Sequence, residues 1–343
     1  MKKSGRATIE DVAKLAGVSI ATVSAVINGS VPVSPKRTKL VREAMAALNY
    51  RRNERGRSLR TGRSGVIGVV VPDVTNPFYP ELLRHVEAAA RLGGYSVMLC
   101  DSRDNREEER RQIEVLHGRG ADGVLVTSCD TTASYDWLED LQLPAVFMER
   151  GPMSGNLRVL ATDHASASYV AVRHFLELGH ERIAFLITRP TLSSNTLRLE
   201  GFCRALEEAG LAVPMEYLRS DLSGADEAFV ASSEMLALDQ PPTAILSTNS
   251  LLLLGSARAV REHGLNCPED VSLIGFDDNP WTEHFNPPLT TLVQPKRELA
   301  QEAVRVLVSQ IEGDELDVAP PALPVELRLR KSTAPAKVAA MAG

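Results

Sequence analysis

Along the first fifty residues, apolar positions return at helical spacing in three short bursts. Ile9, Val12, Ala13 and Ala16 fall on one helical face. Thr8 followed by Asp11 makes a capping-box pattern before that face, and Gly17 suits the left-handed residue that ends a helix. Ser19 predicts the cap of a second helix, Ile20 to Ile27, with Val23, Val26 and Ile27 turned inward. Ile20, Ala21, Thr22 and Ala25 stay near its open face. Ser34-Pro35 then predicts a cap and a first helical residue, and a third helix runs to about Leu48. Leu40, Val41, Ala44, Met45, Ala47 and Leu48 are its expected core, with Tyr50 buried against it. Two short helices joined by a tight turn read either as a helical hairpin or as a helix-turn-helix, whose second helix offers its N-terminal residues to base edges.

Residues 51–64, RRNERGRSLRTGRS, are basic, polar and almost without core positions. They read as a flexible linker, or as a short helix that forms only when DNA and a second subunit supply contacts. Leu59 is apolar where there is no core to join, which suits a wedge between base pairs. From Val66 the pattern becomes one of strands and helices in alternation. Strands are expected at 66–71, 95–100, 122–127 and 144–148, with helices at about 78–92, 105–119 and 134–141. A second round has strands at 182–187, 243–247 and 271–275, with helices at about 165–178, 196–209, 224–238 and 250–263. Such alternation predicts two doubly wound parallel-sheet lobes with a cleft outside the strands' carboxyl ends. The tail from Lys331 is small and polar and is expected to be disordered.

Charge changes the picture. The whole chain carries −6, yet residues 1–63 hold 14 Lys+Arg against 4 Asp+Glu, leaving 24 against 40 for the remainder. A basic head on an acidic body is the asymmetry expected when one end meets phosphate. Cys100, Cys129, Cys203 and Cys267 are scattered beside apolar runs and read as small core residues. The N-terminus is polar, with no signal peptide and no long apolar run, which predicts a cytoplasmic protein with no membrane partner. No metal cluster, nucleophile elbow or phosphate-binding glycine loop is legible, and His164, His174 and His180 lack a matched partner. An enzyme is therefore disfavoured, and neither a cofactor nor a metal is implied. A transport binding protein would have no use for residues 7–60, and a nucleoid-architecture protein would leave the large body unexplained.

The segments ATIEDVAKLAGVSIATVSAVIN, VSPKRTKLVREAMAALNY and RSLRTGRSGVIGVVVPDVTNPFY resemble the LacI/GalR family of bacterial transcription regulators. So do LELGHERIAFL, LRLEGF, DVSLIGFDD and PPLTTLVQP, in order, over about residues 7–330. The resemblance implies a repressor, or in the alternative a ligand-responsive activator, that binds a palindromic operator as a homodimer or tetramer, under a small-molecule effector. It implies a head at 1–50, a hinge at 51–64 and a body at 65–330 like a periplasmic sugar-binding protein, before a tail at 331–343. The body's lobes would be discontinuous: 65–161 with 292–320, and 162–291 with 321–330. A last long helix at about 295–312 would then return to the first lobe.

In the family, the residues matching Ile20 and Ala21, with Ala25 a turn later, read bases. Many relatives carry polar residues there. Apolar ones can meet thymine methyl groups but forgo bidentate hydrogen bonds, each of about 1–3 kcal/mol. Thr8, Ser19, Thr22, Ser24, Asn28 and Tyr50 are further candidates at the DNA, capping being the competing role of the hydroxyls and of Asn28. Leu59 matches the family's hinge leucine, with Arg51, Arg55, Arg57 and Arg60 beside it. For the effector, Asp73, Asn76 and Phe78 follow the first strand, Ser128 the third, and Glu149 and Arg150 the fourth. Ser194 and Arg198 begin a helix of the second lobe, and Asn249 and Asp277 follow its later strands. The resemblance implies that Arg198, Asn249 and Asp277 hold ligand hydroxyl or carboxylate groups. Glu149-Arg150 stands where relatives usually have Asp-Arg, and Asn249-Ser250 where many have Asn-Asp. Phe78 either stacks on a sugar or fills core, and Trp281 either walls the pocket or packs between lobes. The expected effector is a sugar, a sugar acid or a nucleoside.

Overall fold

The computed structural model describes residues 7–28, 31–50, 62–153, 157–213, 215–314 and 322–337. The chain divides into two compact units, Met1–Ser64 and Gly65–Gly343.

The first unit holds α1 (Ile9–Ala16), α2 (Ile20–Asn28) and α3 (Pro35–Ala47). The capping box closes both ways: Asp11 N–H donates to Thr8 Oγ1 at 3.3 Å, and Thr8 N–H donates to Asp11 Oδ2 at 2.8 Å. Gly17 ends α1 at φ +66°, a conformation that costs an L side chain energy. Val12, Ala13, Ala16, Val23, Val41 and Ala44 form the core, with Tyr50 half-buried at its edge. Two expected core residues are not in it, for Leu40 is 41% exposed and Ala47 is also exposed. Each precedes an inward-facing residue by one position, a turn of about 100° around the helix. Ser34 occupies the cap position of α3 without a capping hydrogen bond, so the helix begins on Pro35 and its fixed φ.

In the second unit the elements are β1 (Val66–Val71), α4 (Phe78–Leu92), β2 (Ser96–Asp101), α5 (Arg106–Gly118), β3 (Gly123–Val126), α6 (Trp137–Leu141), β4 (Ala145–Met148) and β5 (Arg158–Leu160). There follow α7 (His164–Glu177), β6 (Ile183–Leu186), α8 (Ser193–Glu208), β7 (Leu218–Arg219), α9 (Ala225–Leu236), β8 (Ala244–Ser247) and α10 (Ser250–Glu262). The chain then runs through β9 (Ser272–Phe276), α11 (Pro280–His284), β10 (Thr290–Val293), α12 (Lys296–Glu312) and β11 (Glu326–Arg328). One parallel sheet has the order β2-β1-β3-β4-β5. The other has the order β11-β10-β9-β8-β6-β7, with only β11 antiparallel.

Strands such as VIGVVV are apolar at nearly every position because both sheet faces are covered. On the first sheet, α4 and α12 cover one face through Leu82, Val86, Leu299 and Leu307. Ile113, Leu116 and Leu138 cover the other. The second sheet lies between Phe175 and Phe202 on one side and Met235, Leu253 and Val260 on the other. The chain crosses between lobes after Leu160, after Val293 and before Glu326. The second crossing thus lies just beyond β10, a strand of the second sheet.

Residues 331–337 are not disordered. Ser332 is fully buried, and its hydroxyl donates to Leu273 O at 2.6 Å while accepting from Thr290 N at 2.7 Å. Ala336 N–H donates to Leu178 O at 2.8 Å. Small residues gave no periodic signal, yet they let this segment lie against the amino-terminal ends of β9 and β10. Residues 338–343 lie outside the described residues.

Candidate functional site

In the head, α2 starts where Ser19 Oγ accepts from Thr22 N–H at 3.2 Å and shares a 2.9 Å hydrogen bond with the Thr22 hydroxyl. That cap leaves Ile20, 47% exposed, and Ala21 on the open face, while Val23 is fully buried. Ser24 and Ala25 are half-buried, and Thr8 is engaged in its capping box. Arg51, Arg55, Arg57, Leu59 and Arg60 lie outside the described residues, as does the side chain of Asn28.

Between the lobes of the body is a cavity of about 630 Å³. Nine of the eleven sequence-expected residues line it: Asp73 and Asn76 from the loop after β1, Phe78 at the start of α4, Glu149 and Arg150 after β4, Ser194 and Arg198 on α8, Asn249 after β8 and Asp277 after β9. Two do not. Ser128 is buried with its hydroxyl 2.6 Å from Tyr135 Oη, in a cluster with Glu109 that holds the loop after β3. Trp281 packs on the second-lobe core, edge-on to Phe285 at 6.1 Å. Phe78 belongs chiefly to the first-lobe core and reaches the cavity with a ring only 6% exposed.

The local chemistry of the loops sets several of these side chains. Asp73 Oδ1 accepts from Thr75 N–H at 2.8 Å, and Asn76 Oδ1 accepts from Phe78 N–H at 3.1 Å. Asn249 caps α10, accepting from Leu252 N–H at 2.8 Å. Gly201 brings α8 against α7, since a Cβ there would stand 2.0 Å from Ala165 O; this close approach fixes the helix that carries Arg198. Arg103, Asp104, Glu149, Asp221 and Asp277 all line the cavity with positive φ. Such backbone costs of order 1–3 kcal/mol per non-glycine residue, and its concentration here marks a site.

The cavity floor is ionic and buried. Arg198 is 8% exposed, its guanidinium 4.1 Å from the Phe276 ring centroid, with Nη1 donating to Thr248 O at 2.8 Å. Its Nε has no hydrogen-bond partner. Burial lowers its pKa, against the pull of Asp277 and Glu149. Glu149 Oε2 accepts from His164 Nε2 at 3.0 Å, whereas Oε1 is buried without a partner. Burial alone would raise the Glu149 carboxyl, but His164 and Arg198 hold it below its usual value. Asp277 is raised by burial, opposed by Lys296 and Arg198. His164 is lowered by burial and then by Arg198.

The histidines thus do have partners: His164 has Glu149, His174 Nε2 lies 3.0 Å from Thr333 Oγ1, and His180 bridges Thr243 and Ala334 O at 2.9 Å each. The floor is laced to the crossings. The Thr162 hydroxyl donates to Gln294 Oε1 at 3.0 Å, and the Gln294 amide donates to Asp277 Oδ1 at 2.7 Å. At the mouth, Arg189 Nη2 donates to Asp104 Oδ1 at 2.6 Å and to Cys129 O at 2.8 Å, tying one lobe to the other.

Tyr79, Asp104, Arg189, Asn195 and Gln294 line the cavity but were not singled out from the sequence. Asn195 and Arg189 flank the loop after β6, so strand-end position was the available signal. Gln294 sits on a crossing that only long-range topology reveals. Among the described residues, no His, Cys, Asp or Glu group is placed to hold a metal, and no helix is long and apolar enough to cross a membrane.

Residues 8–53 match the lacI family of bacterial regulatory proteins, and residues 172–333 match the periplasmic binding protein-like domain. The chain is 34% identical to the HTH-type transcriptional repressor PurR of Pasteurella multocida over 95% of its own length and 98% of that protein's. It is 34% identical to PurR of Vibrio cholerae over 90% of its own length and 93% of that protein's. Among solved structures, it is similar to the Lac repressor dimer bound to operator and the anti-inducer ONPF. That similarity has a TM-score of 0.83 at 29% identity, covering 96% of this chain and 100% of the other. The transcriptional regulator CelR in complex with cellobiose has a TM-score of 0.71 at 29% identity, covering 95% and 100%.

Proposed function

The chain belongs to the LacI family of bacterial regulatory proteins and is a DNA-binding repressor controlled by a small-molecule effector; we propose that the effector binds in the interlobe cavity and that this chain has no enzymatic activity. The observation that carries the reading is the pair of buried, unpartnered atoms, Glu149 Oε1 and Arg198 Nε, in one cavity between two lobes. Buried polar atoms without partners are costly, and a ligand that supplies partners recovers that cost. Asp73, Asn76, Phe78, Arg150, Ser194, Asn249 and Asp277 complete the wall around a sugar, a sugar acid or a nucleoside.

The protein acts in the cytoplasm as a homodimer or tetramer on a palindromic operator. Ile20, Ala21 and Ala25 face base edges, and Ser19, Thr22, Ser24 and Asn28 position the head on phosphates. Leu59 wedges the operator centre, helped by Arg55, Arg57 and Arg60. The effector favours one arrangement of the lobes, which changes the spacing of the two hinge segments and with it operator affinity. It does so only by binding the two arrangements unequally.

Fluorescence anisotropy of a labelled operator, titrated with the full chain in the presence of each ligand class, tests the reading. A ligand-dependent shift in operator affinity is expected, and its absence for every class counts against the cavity. The operator affinity itself falls steeply with salt. Leu59→Ala loses most of that affinity, of order a hundredfold for a lost kink of a few kcal/mol, while ligand binding by calorimetry is retained. Unchanged operator affinity removes the wedge.

A further inference from the structure

The two lobes are joined by chain on one side of the cavity and by side chains on the other. The chain crosses after β5 and after β10, whereas the loops after β2, β3 and β6 leave strands that lie away from those crossings in each sheet. There, at the cavity mouth, Arg189 of the second lobe donates through Nη2 to Asp104 Oδ1 at 2.6 Å and to Cys129 O at 2.8 Å in the first. Beside it, the Thr131 hydroxyl of the first lobe donates to Thr191 O at 2.9 Å and accepts from Ser193 N–H at 3.0 Å. We infer that these contacts form a latch: Arg189 and Thr131 hold the lobes together on the side away from the crossings and set how readily the cavity opens. Its consequence for an effector, control of entry and escape, rests on the cavity being the effector site.

Both halves of the latch are shaped by their own lobe. Arg103 and Asp104 take φ of +51° and +53°, and Asp101 Oδ1 accepts from Arg103 N–H at 2.9 Å, which turns the loop after β2 toward the mouth. The loop after β3 is held from behind by Glu109, 1% exposed. Its Oε2 accepts from Cys129 N–H at 2.8 Å, and its Oε1 accepts from the Tyr135 hydroxyl. Those bonds present Cys129 O and the Thr131 hydroxyl to the second lobe. Opposite them, the Asn195 amide donates to Thr188 Oγ1 at 2.6 Å and to Arg189 O at 2.9 Å, fixing the Arg189 loop at the start of α8. Parts already ordered lose little freedom when they meet. The Arg189 and Asp104 side chains stay 40% and 48% exposed. A pair so well hydrated contributes modestly, as suits a contact that parts and reforms.

Alkylation by iodoacetamide of the full chain carrying Ser194→Cys tests this, because position 194 is 6% exposed in the cavity wall. Peptide masses separate that position from the four native cysteines. Adding Arg189→Ala is expected to speed alkylation there at least about fivefold, the scale of a lost ion pair with its second hydrogen bond. Hydrogen exchange of Arg189→Ala alone, resolved by peptide, is expected to rise by a similar factor in both 128–135 and 188–196, the two halves of the latch, with β1 and β8 unchanged. Should Arg189→Ala fail to fold, Thr131→Val removes the other bridge and carries the same expectation. Alkylation at the unlatched variant no faster than at Ser194→Cys alone overturns the inference. So does a rise in exchange confined to 188–196, which makes Arg189 a loop residue of its own lobe only. Neither measurement uses an effector, so either failure leaves the cavity's role standing. A cavity that answers to none of the ligand classes in the anisotropy titration removes the consequence for effector exchange and leaves the latch.

Discussion

The open face of the head and the cavity floor are built by opposite means. The open face of α2 is exposed, uncharged and apolar at Ile20 and Ala21, and comes from one continuous stretch of chain. The floor is buried and ionic, and is assembled from segments as distant as Glu149, Arg198 and Asp277. A surface without charged or bidentate groups discriminates weakly for itself and depends on its context, here the shape and deformability of the DNA. A buried charge cluster with unpartnered atoms discriminates strongly, because each wrong ligand leaves a specific atom unsatisfied. On the proposed reading, the sharp chemical choice lies at the effector and a looser one at the recognition helix.

The sharpest separation of the two regions is expected from Arg198→Ala. Removing the guanidinium leaves Glu149 and Asp277 facing each other in a buried site. Truncating one partner of a buried charged pair costs about 2–5 kcal/mol, so ligand affinity should fall by roughly 30- to several-thousand-fold. The operator complex should then cease to respond to ligand in anisotropy titrations. A response that survives would mean that the floor is not where the effector is held.

A second carboxylate, the half-buried Asp278, does structural work next to the cavity-lining Asp277. Its oxygens accept from Arg330 at 2.7 and 3.0 Å and from the Thr291 and Thr282 hydroxyls at 2.8 and 3.0 Å. Those partners, Arg330 first, outweigh burial and hold its pKa at about 2. Asp278→Asn weakens its ion pairs with both Arg330 and Arg328, with an expected loss of about 1–3 kcal/mol in body stability by denaturant unfolding. Operator contacts of the head should be untouched. The native pairing is fully present above the ordinary aspartate range and is lost as pH falls toward 2.

Milder acid should also divide the two units. All seven histidines lie in the body and none in residues 1–64. Burial lowers His164, His174 and His180. A histidine buried as the neutral form takes up its proton later than in the unfolded chain, whose value is about 6.5. Stability is therefore full above that value and declines as pH drops below it, by up to about 1.4 kcal/mol per pH unit for each such group. Hydrogen exchange at pH 7.5 and 5.5, corrected for intrinsic rates, should show the body loosening and α1 to α3 unchanged. Equal loosening of both units would refute this assignment.

The same contrast explains what the sequence made legible. Helix caps and apolar periodicity are local, so Thr8, Gly17 and Ser19 could be placed residue by residue, as could strands such as VIGVVV. Strand-end position brought Glu149 and Asp277 to the cavity wall, and the entry of a helix brought Arg198, because the cleft of wound sheets opens there. Partnership is not local. Nothing near His164 announces Glu149, nothing near Ser332 announces Leu273, and Ser128 stands at a strand end yet turns to Tyr135. The short strands β5, β7, β10 and β11 were missed for a related reason. Two to four residues, with Thr or charged side chains among them, carry no periodicity of their own and are strands only through their neighbours.

The smallest expected effect resolves a double role. Ser19 caps α2 through Thr22, so Ser19→Ala should destabilise the head by about 1 kcal/mol. It should weaken operator binding about fivefold if phosphate contact adds nothing further. Because the cap alone can produce that loss, alanine does not separate capping from DNA contact. Ser19→Asp does. Aspartate caps as well as serine and favours a helix N-terminus, so the head should stay folded by hydrogen exchange of the α2 amides. The new charge, however, would face phosphate if Ser19 lies at the backbone. Operator affinity falling well below that of Ser19→Ala, with the loss shrinking as salt is raised, would place Ser19 against DNA. Affinity equal to that of the unsubstituted protein would leave it a cap.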